Sequence, residues 1–169
     1  MKKIIGNPSK TNEEIINLIK KTKINNYYLR NKKDFRDKIL EEIKPNDHVV
    51  DIGMAMRDKH QKIKSDLLQT LDVNDFGDYP DIICDICADI SGLEKKYDKI
   101  ICLAILEHVY NPFKAIENLR FMLKDDGMIY GFVPYLYKYH APMDLKYQDY
   151  FRFSKDTLAY LFKDFNDVE

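Results

Sequence analysis

The chain has 169 residues, a length that suits one domain with a hydrophobic core, and we expect a single domain spanning residues 1–169. Hydrophobic residues make up 45% and charged residues 33%, and no apolar run approaches the roughly 20 residues that span a bilayer, so neither a disordered chain nor a membrane partner is expected. The 27 basic residues nearly balance the 28 acidic ones, which predicts no nucleic-acid partner, and three cysteines without a signal-peptide pattern favour a cytoplasmic protein.

Two amphipathic helices are predicted in residues 1–45, ahead of a core formed by residues 46–169. The first spans Thr11–Lys23, where isoleucine and leucine residues form one apolar stripe, and the second spans residues 32–43. Residues 1–40 contain 11 basic and 4 acidic residues. Solvated lysines on the outer faces of the helices explain this charge, and the alternative is that the helices form a lid over an anionic ligand.

Five β-strands are predicted in the core. They span His48–Gly53, Leu67–Val73, Asp81–Ile86, Tyr97–Leu106 and Met128–Pro134. Their composition is continuously apolar rather than alternating, which is typical of strands covered by helices on both faces. A helix over residues 111–124, ended by Gly127, and a last helix over residues 155–165 are also predicted. Strands separated by helices predict a doubly wound α/β sheet with parallel strands.

Acidic residues and a glycine mark the ends of the first two strands. Asp51 and Gly53 end the first strand, and Asp72 follows 19 residues after Gly53. A carboxylate there can accept hydrogen bonds from both hydroxyls of a ribose, and glycine lets a ligand approach the backbone. A nicotinamide-binding turn requires G-x-G-x-x-G, but its second and third glycine positions hold Ala55 and Asp58. The pattern therefore favours a different nucleoside ligand.

The order and spacing of several motifs resemble one enzyme family. Asp51-Ile52-Gly53 and Leu71-Asp72-Val73 are followed by Asp81–Ile86, Tyr97–Cys102, Leu106-Glu107-His108-Val109, Asn111-Pro112 and Leu123–Gly127. Over residues 47–165 this series resembles class I S-adenosylmethionine-dependent methyltransferases, in particular the type-11-like small-molecule branch with L-E-H-V after the fourth strand. The resemblance implies a Rossmann-like methyltransferase sheet of strand order 3-2-1-4-5. The family's final antiparallel hairpin is expected to be absent or truncated, because the chain ends where the sixth strand would begin.

The resemblance implies S-adenosyl-L-methionine as the cofactor and S-adenosyl-L-homocysteine as its product. The cofactor-binding residues that it implies are Asp51, Gly53, Ala55, Asp72, Asp85, Ile86 and Leu103. Asp72 matches the acid that holds the ribose hydroxyls, and Asp85 matches the position that hydrogen-bonds the adenine amine. The sequence departs from the family at Arg57, which replaces a loop glycine and predicts a narrower site.

Methyl transfer to a hydroxyl requires a base that removes the acceptor's proton, and two histidines are candidate catalytic residues. His108 lies in the L-E-H-V motif, which faces the reaction centre in the family, and His140 follows the fifth strand. Residues 134–154 resemble the H-x-P-x-D…D-Y-x-R-F segment that forms the acceptor side of the pocket in a subset of these enzymes. The substrate-binding residues that this segment implies are Asp144, Tyr150 and Arg152.

Arg152 and a pair of cysteines each allow two interpretations. Arg152 either binds an anionic acceptor through paired N–H donors or forms an ion pair with Asp149 or Asp144. The Cys84-x-x-Cys87 motif suits a redox or metal site in other settings, but on a predicted buried strand it indicates structural thiols. The remaining acidic residues show no metal-ligand spacing, so no metal site is expected.

Taken together, these features predict an enzyme that transfers a methyl group from S-adenosylmethionine to a small-molecule acceptor. An oxygen acceptor is favoured, on a sugar- or phosphate-bearing precursor of a surface polysaccharide or a natural product. The alternative is a non-catalytic partner or regulatory subunit with the methyltransferase fold, which the Arg57 loop and the missing hairpin favour. The sequence does not indicate an oligomeric state.

Overall fold

The structure is a computed structural model that describes residues 14–17, 32–166 and 168. Of the predicted helix Thr11–Lys23, residues 14–17 are helical and the others lie outside the described residues. Within the described part of the chain, no helix is both long and apolar enough to cross a lipid bilayer.

The chain divides into two compact units. One comprises Met1–Tyr27 and Ser154–Glu169, and the other comprises Tyr28–Phe153. All of the strands found in the described residues belong to the second unit.

The unit Tyr28–Phe153 is built on a five-stranded parallel sheet. Its strands are β1 (His48–Ile52), β2 (Leu67–Asp72), β3 (Ile82–Ile83), β4 (Tyr97–Leu103) and β5 (Leu123–Phe132). They lie in the order 3-2-1-4-5, and each neighbouring pair is parallel. The predicted α/β sheet and its strand order are confirmed. Because the order reverses between β1 and β4, a crevice forms at the carboxyl ends of these strands.

Helix α1 (Lys32–Glu42) agrees with the predicted second helix and covers one face of the sheet. The buried cluster between them consists of Ile39, Ile43, Val49, Met56, Ile63, Ile101, Leu103 and Tyr130. Val50, Ile52, Ile100 and Cys102 alternate with the strand residues of this cluster along β1 and β4, and they are buried as well. Burial on both faces explains why the strands are continuously apolar.

The third strand is shorter than predicted. Its ladder begins after Asp81, because the Oδ2 atom of that residue accepts from the N–H of Thr70 at 2.8 Å and from the Thr70 hydroxyl at 2.7 Å. Its ladder ends before Asp85, whose Oδ1 accepts from the Cys87 N–H at 2.8 Å in a turn. Cys84 therefore lies beyond the strand and is half-buried, so the expectation that it is a buried strand residue is wrong.

The helix predicted over residues 111–124 also ends earlier than expected. Helix α2 (Pro112–Met122) begins at Asn111, whose side chain accepts from the Lys114 N–H at 3.1 Å. Leu123 is already extended and starts β5, and a bulge between the pairs Tyr97–Leu123 and Lys99–Met128 contains Gly127. The predicted helix stop at Gly127 is wrong, because pairing with β4 extends the chain directly after Met122.

In the other unit, a short helix follows the sheet-containing part of the chain. Helix α3 (Lys155–Leu161) is capped by the Ser154 hydroxyl, which accepts from the Thr157 N–H at 3.2 Å. It ends at Leu161, before the predicted end at residue 165. Ala159 and Leu161 supply its buried side chains.

Candidate active site

A cleft of about 330 Å³ lies at the carboxyl ends of the central strands. It is lined by the residues that follow β1, β2, β3 and β4, together with residues 145–147. The sequence-predicted site residues in this lining are Gly53, Asp72, Asp85, Ile86 and His108. The position is the switch point where doubly wound sheets bind ligands, and the volume is in the range of small-molecule sites.

The backbone at the floor of the cleft adopts an unusual conformation. Gly53, Met54 and Ala104 have φ angles of +73°, +63° and +59°, in the left-handed region. For the two residues with a side chain this conformation costs about 1–2 kcal/mol each, and such strain concentrates at binding sites. A Cβ atom on Gly53 would lie 2.0 Å from the Cδ1 atom of Ile105. The close approach of the loops after β1 and β4 therefore requires glycine at this position.

Asp51 supports the loop after β1 from below and is not part of the cleft lining. Its side chain is fully buried, and its Oδ2 accepts from the Met56 N–H at 3.0 Å and lies 2.7 Å from Nε2 of His60. No described residue donates a hydrogen bond to its Oδ1. Burial raises the pKa of Asp51 above its usual value, although His60 and the Met56 N–H oppose the shift. The geometry gives Asp51 a role in holding the loop that contains Gly53.

Asp72 lies at the carboxyl end of β2 and connects two walls of the cleft. Its Oδ1 accepts from the backbone N–H of Asn74 at 2.8 Å and from the Asn74 side-chain amide at 3.1 Å. The side-chain oxygen of Asn74 in turn accepts from the N–H of Lys146 at 3.0 Å. Lys146 lines the cleft, so this chain of bonds fixes the segment after β5 against β2. Sequence reasoning missed Asn74 and Lys146, because no local motif marks them.

The loop after β3 is fixed by a buried amide of α2. The Nδ2 atom of Asn118 donates to the carbonyl oxygens of Ile86 at 2.7 Å and of Ala88 at 2.8 Å. Asp85 lies in this loop, and its Oδ1 accepts from the Cys87 N–H. The charge of Asp85 raises the pKa of the neighbouring Tyr110 hydroxyl. Tyr110 also lines the cleft. Asp85 and Tyr110 therefore form a polar group at this end of the cleft.

Three residues of the loop and strand ends lie away from the cleft. Ala55 and Leu103 pack with the buried cluster under α1, because side chains alternate between the faces of a strand. The Arg57 guanidinium carbon lies 5.3 Å from the centre of the Tyr79 ring, and its Nη2 lies 3.9 Å from Asp78. Arg57 is absent from the cleft lining, so the expectation that it narrows the site is wrong.

The two predicted catalytic histidines are in contact, although only His108 lines the cleft. Their Nε2 atoms are 3.1 Å apart. The Nδ1 atom of His108 lies 2.9 Å from the carbonyl oxygen of Gln148, and Nδ1 of His140 lies 2.9 Å from Oδ2 of Asp149. Burial lowers the pKa of His108 below its usual value, despite the Gln148 carbonyl. A neutral imidazole in the cleft can act as a base.

Glu107 lies beside both histidines and was missed by sequence reasoning. Its side chain is fully buried, and its Oε1 is 3.8 Å from Nε2 of His108 and 4.0 Å from Nε2 of His140. Its carbonyl oxygen accepts from the N–H groups of Tyr150 at 2.8 Å and Phe151 at 3.1 Å, which joins the L-E-H-V motif to the later segment. The sequence places Glu107 next to His108, which could have indicated a shared site. The second histidine, His140, is 33 residues away in the sequence, so its contact with this pair could not be read from the spacing.

Of the three residues predicted to bind the acceptor, Arg152 has contacts that indicate a structural role. Its guanidinium forms a two-point ion pair with Asp149, with Nη2 to Oδ2 at 2.8 Å, and also donates to the Tyr137 carbonyl oxygen. This ion pair holds the pKa of Asp149 well below its usual range, despite burial. Asp144 and Tyr150 are exposed and, like Arg152, do not line the cleft.

Comparison with known proteins gives short or distant similarities. No protein-family model matches the chain. A stretch of 36 residues is 42% identical to the ubiquinone biosynthesis O-methyltransferase of Glaesserella parasuis serovar 5 (strain SH0165), and it covers 21% of this chain and 15% of that protein.

Three solved structures illustrate the distant structural similarity. The trans-methyltransferase CalH in complex with SAH has a TM-score of 0.41 and 15% identity over 52% of this chain and 32% of its own. A candidate methyltransferase in complex with the Haloferax volcanii Trm112 methyltransferase activator has a TM-score of 0.48 and 20% identity, over 60% of this chain and 52% of its own. The Burkholderia thailandensis 1,6-didemethyltoxoflavin-N1-methyltransferase, solved with S-adenosylhomocysteine, has a TM-score of 0.45 and 9% identity, over 76% and 65%. The chain spans less than two thirds of the length of each of these relatives.

Proposed function

We propose that this chain is an S-adenosylmethionine-dependent methyltransferase that acts on a small-molecule acceptor. The observation that carries the proposal is the convergence of Gly53, Asp72 and Asp85 on one cleft at the switch point of the sheet. These residues follow three different strands, and their order along the chain is the one that resembles the class I family. The 36-residue match to an O-methyltransferase supports the same assignment.

The cleft residues fit an adenosyl ligand. Both hydrogen bonds that the Asp72 side chain accepts among the described residues go to its Oδ1, so its Oδ2 can accept from ribose hydroxyls. Gly53 lines the cleft with backbone atoms alone, and Asp85 with Tyr110 provides polar groups at the end proposed for adenine. When bound, S-adenosylmethionine supplies a methyl group that is already activated on sulfur. The protein's main task is then to align the acceptor, which is worth up to about 7–11 kcal/mol in oriented systems.

We further propose that the acceptor atom is an oxygen and that His108 is the base. The Nδ1 atom of His108 faces a carbonyl oxygen and the lowered pKa keeps the ring neutral, so Nε2 can accept a proton. Lys146 on the cleft wall supports an acceptor with a phosphate or carboxylate, as in a glycan or natural-product precursor. Incubation with radiolabelled S-adenosylmethionine and a panel of sugar phosphates and amines tests this: label in amines alone would exclude an oxygen acceptor.

The alternative is a non-catalytic partner or regulatory subunit with the same fold. Exposed apolar side chains after β5 favour it: Leu136 is 90% exposed and Met143 is fully exposed. Apolar side chains that are this exposed are typical of contact surfaces. Such a subunit would keep its partner when the cleft is altered, whereas an enzyme would lose its ligand.

Calorimetric titration of S-adenosylhomocysteine into the full chain tests the cofactor assignment. The Asp72→Asn variant should bind about 10–100-fold more weakly, because it loses charge-assisted hydrogen bonds worth about 1.5–3 kcal/mol. Asp66→Asn is the matched control, since Asp66 is an exposed acid at the opposite end of β2 and should leave affinity unchanged. Equal affinity of the two variants, or no binding by the folded wild-type chain, would contradict the proposal.

A further inference from the structure

The hydrogen bonds around His108 and His140 determine which ring nitrogens carry protons. The Nδ1 atom of His108 faces the carbonyl oxygen of Gln148 at 2.9 Å, and a carbonyl oxygen can only accept. Nδ1 of His140 faces Oδ2 of Asp149 at 2.9 Å. This carboxyl group accepts from Arg152 at both oxygens and from the His140 backbone N–H at Oδ2, so it also acts as an acceptor. Both Nδ1 atoms therefore carry a proton, and in the neutral rings both Nε2 atoms carry a lone pair.

These two lone pairs face each other. The Nε2 atoms are 3.1 Å apart, a separation at which two unprotonated nitrogens repel unless a cation lies between them. The buried carboxyl group of Glu107 supplies an oxygen at the same point, with Oε1 at 3.8 Å from Nε2 of His108 and 4.0 Å from Nε2 of His140. A point equidistant from the three atoms lies about 2.1 Å from each of them, which is the length of a Zn–N or Zn–O bond.

We propose that Glu107, His108 and His140 bind one divalent transition-metal ion, for which Zn²⁺ is the first probe. Two imidazole nitrogens and one carboxylate oxygen are the protein ligands of one class of catalytic zinc sites and of non-haem Fe(II) sites. Histidine ligands of metals donate their other N–H to a carboxylate or a carbonyl, and Asp149 and Gln148 accept these bonds here. The site is therefore built with its supporting hydrogen bonds as well as its ligands.

The ion would border the cleft, because His108 belongs to both. With the ion bound, Nε2 of His108 is a ligand, so the base role proposed above for this nitrogen applies to the metal-free chain. Three protein ligands leave a coordination position for water or for an oxygen of a bound acceptor. This role toward an acceptor rests on the proposed methyltransferase function. Binding of the ion does not, since it is measured without a methyl donor, so failure of one proposal is distinguishable from failure of the other.

Metal titration of the full chain, first stripped with EDTA and then freed of the chelator, tests the proposal. Calorimetry with Zn²⁺ should give one equivalent bound at micromolar or tighter affinity. The His140→Ala variant should bind more than about 100-fold more weakly, since loss of even a hydrogen-bonding partner of a ligand costs about 10–100-fold. Glu107→Gln keeps the shape of the buried side chain and should also weaken binding. His48→Ala is the matched control, because His48 is the first residue of β1 and the cleft lies at the other end of this strand.

Co²⁺ spectroscopy of the wild-type chain separates this site from the thiols and does not depend on any variant folding. Nitrogen and oxygen ligands should give visible bands without the thiolate charge-transfer band that Cys84 or Cys87 would produce. A thiolate band, equal Zn²⁺ affinity of the wild-type and His140→Ala chains, or no micromolar binding by the wild-type chain would each overturn the proposal. In the last case the two imidazoles share a proton instead of a metal ion.

Discussion

Two groups of residues meet at the cleft, and the fold builds them in different ways. The strand-end group consists of Gly53, Asp72 and Asp85. The histidine group consists of Glu107, His108 and His140. Members of the first group lie at or just after the carboxyl ends of strands of one sheet. The second group joins the residues after β4 to a segment 32 residues further along the chain. The sheet alone brings the first group together, and the second depends on contacts between loops.

The two groups also differ in what holds them. Backbone geometry fixes the strand-end group, through the left-handed conformation of Gly53 and the turns that follow β2 and β3. Charged side chains fix the histidine group, because Asp149 accepts from His140 and is itself held by Arg152. We therefore expect backbone substitutions to damage the first group and charge substitutions to damage the second.

The largest effect is expected from removing the charge that supports the histidine group. Arg152→Gln leaves the carboxylate of Asp149, whose side chain is 1% exposed, without its ion-pair partner. Breaking a buried pair in this way costs about 3–5 kcal/mol, and we expect about 3 because Arg152 is partly exposed. Urea denaturation measures the loss in the free energy of unfolding. Arg120→Gln, on the exposed side of α2, should stay within about 0.5 kcal/mol of wild type.

An unchanged stability of Arg152→Gln would contradict the structural role of the ion pair. Arg152 would then be available to an anionic acceptor, which is the other interpretation that the sequence allows. A raised KM for the acceptor with normal stability would identify that role, and the histidine group would need another support.

A substitution that changes the backbone at Gly53 tests the strand-end group. Gly53→Ala should lose about 1–2 kcal/mol of stability from its left-handed φ, and its Cβ should also push Ile105 into the cleft. Gly92→Ala is the matched control, because Gly92 has φ +89° and open space around its Cβ position. Both variants should lose similar stability by thermal denaturation, but Gly53→Ala alone should bind S-adenosylhomocysteine more weakly. Equal binding by both variants would show that the loop tolerates a side chain.

The strand-end group could be predicted from the sequence because its spacing follows the sheet. Asp72 and Asp85 come after apolar runs that a parallel sheet aligns at one edge, so their approach needed no knowledge of loops. The boundaries of β3 and β5 were less predictable. The Asp81 side chain replaced a backbone partner of Thr70, and pairing with β4 overrode the turn signal at Gly127.

The histidine group could be predicted only in part. His108 and His140 were each identified by motif, but their contact depends on how the chain after β5 folds back onto the L-E-H-V motif. Glu107 does not belong to a recognisable metal-ligand motif in the sequence, because His108 and His140 follow it by 1 and 33 residues. Ligand sets that are assembled from two loops have no regular spacing in the sequence, which explains why the proposed metal site was not expected.

The smallest effect is expected from the buried carboxyl group of Asp51, which supports the loop that contains Gly53. It tests whether ionisation of this group changes the free energy of unfolding. Burial raises the pKa of Asp51, so the folded chain keeps a proton on this carboxyl at a pH where the unfolded chain, with an ordinary pKa of about 4, has lost it. The stability that this proton contributes is fully present below about pH 4 and is lost as the pH rises through the folded pKa. Asp51→Asn cannot ionise and keeps an oxygen for the Met56 N–H. Its unfolding free energy should therefore rise relative to wild type as the pH increases from about 4, in urea titrations at stepped pH. Asp66→Asn should show no such trend, and a difference between Asp51→Asn and wild type that does not change with pH would mean that Asp51 acts through hydrogen bonds alone.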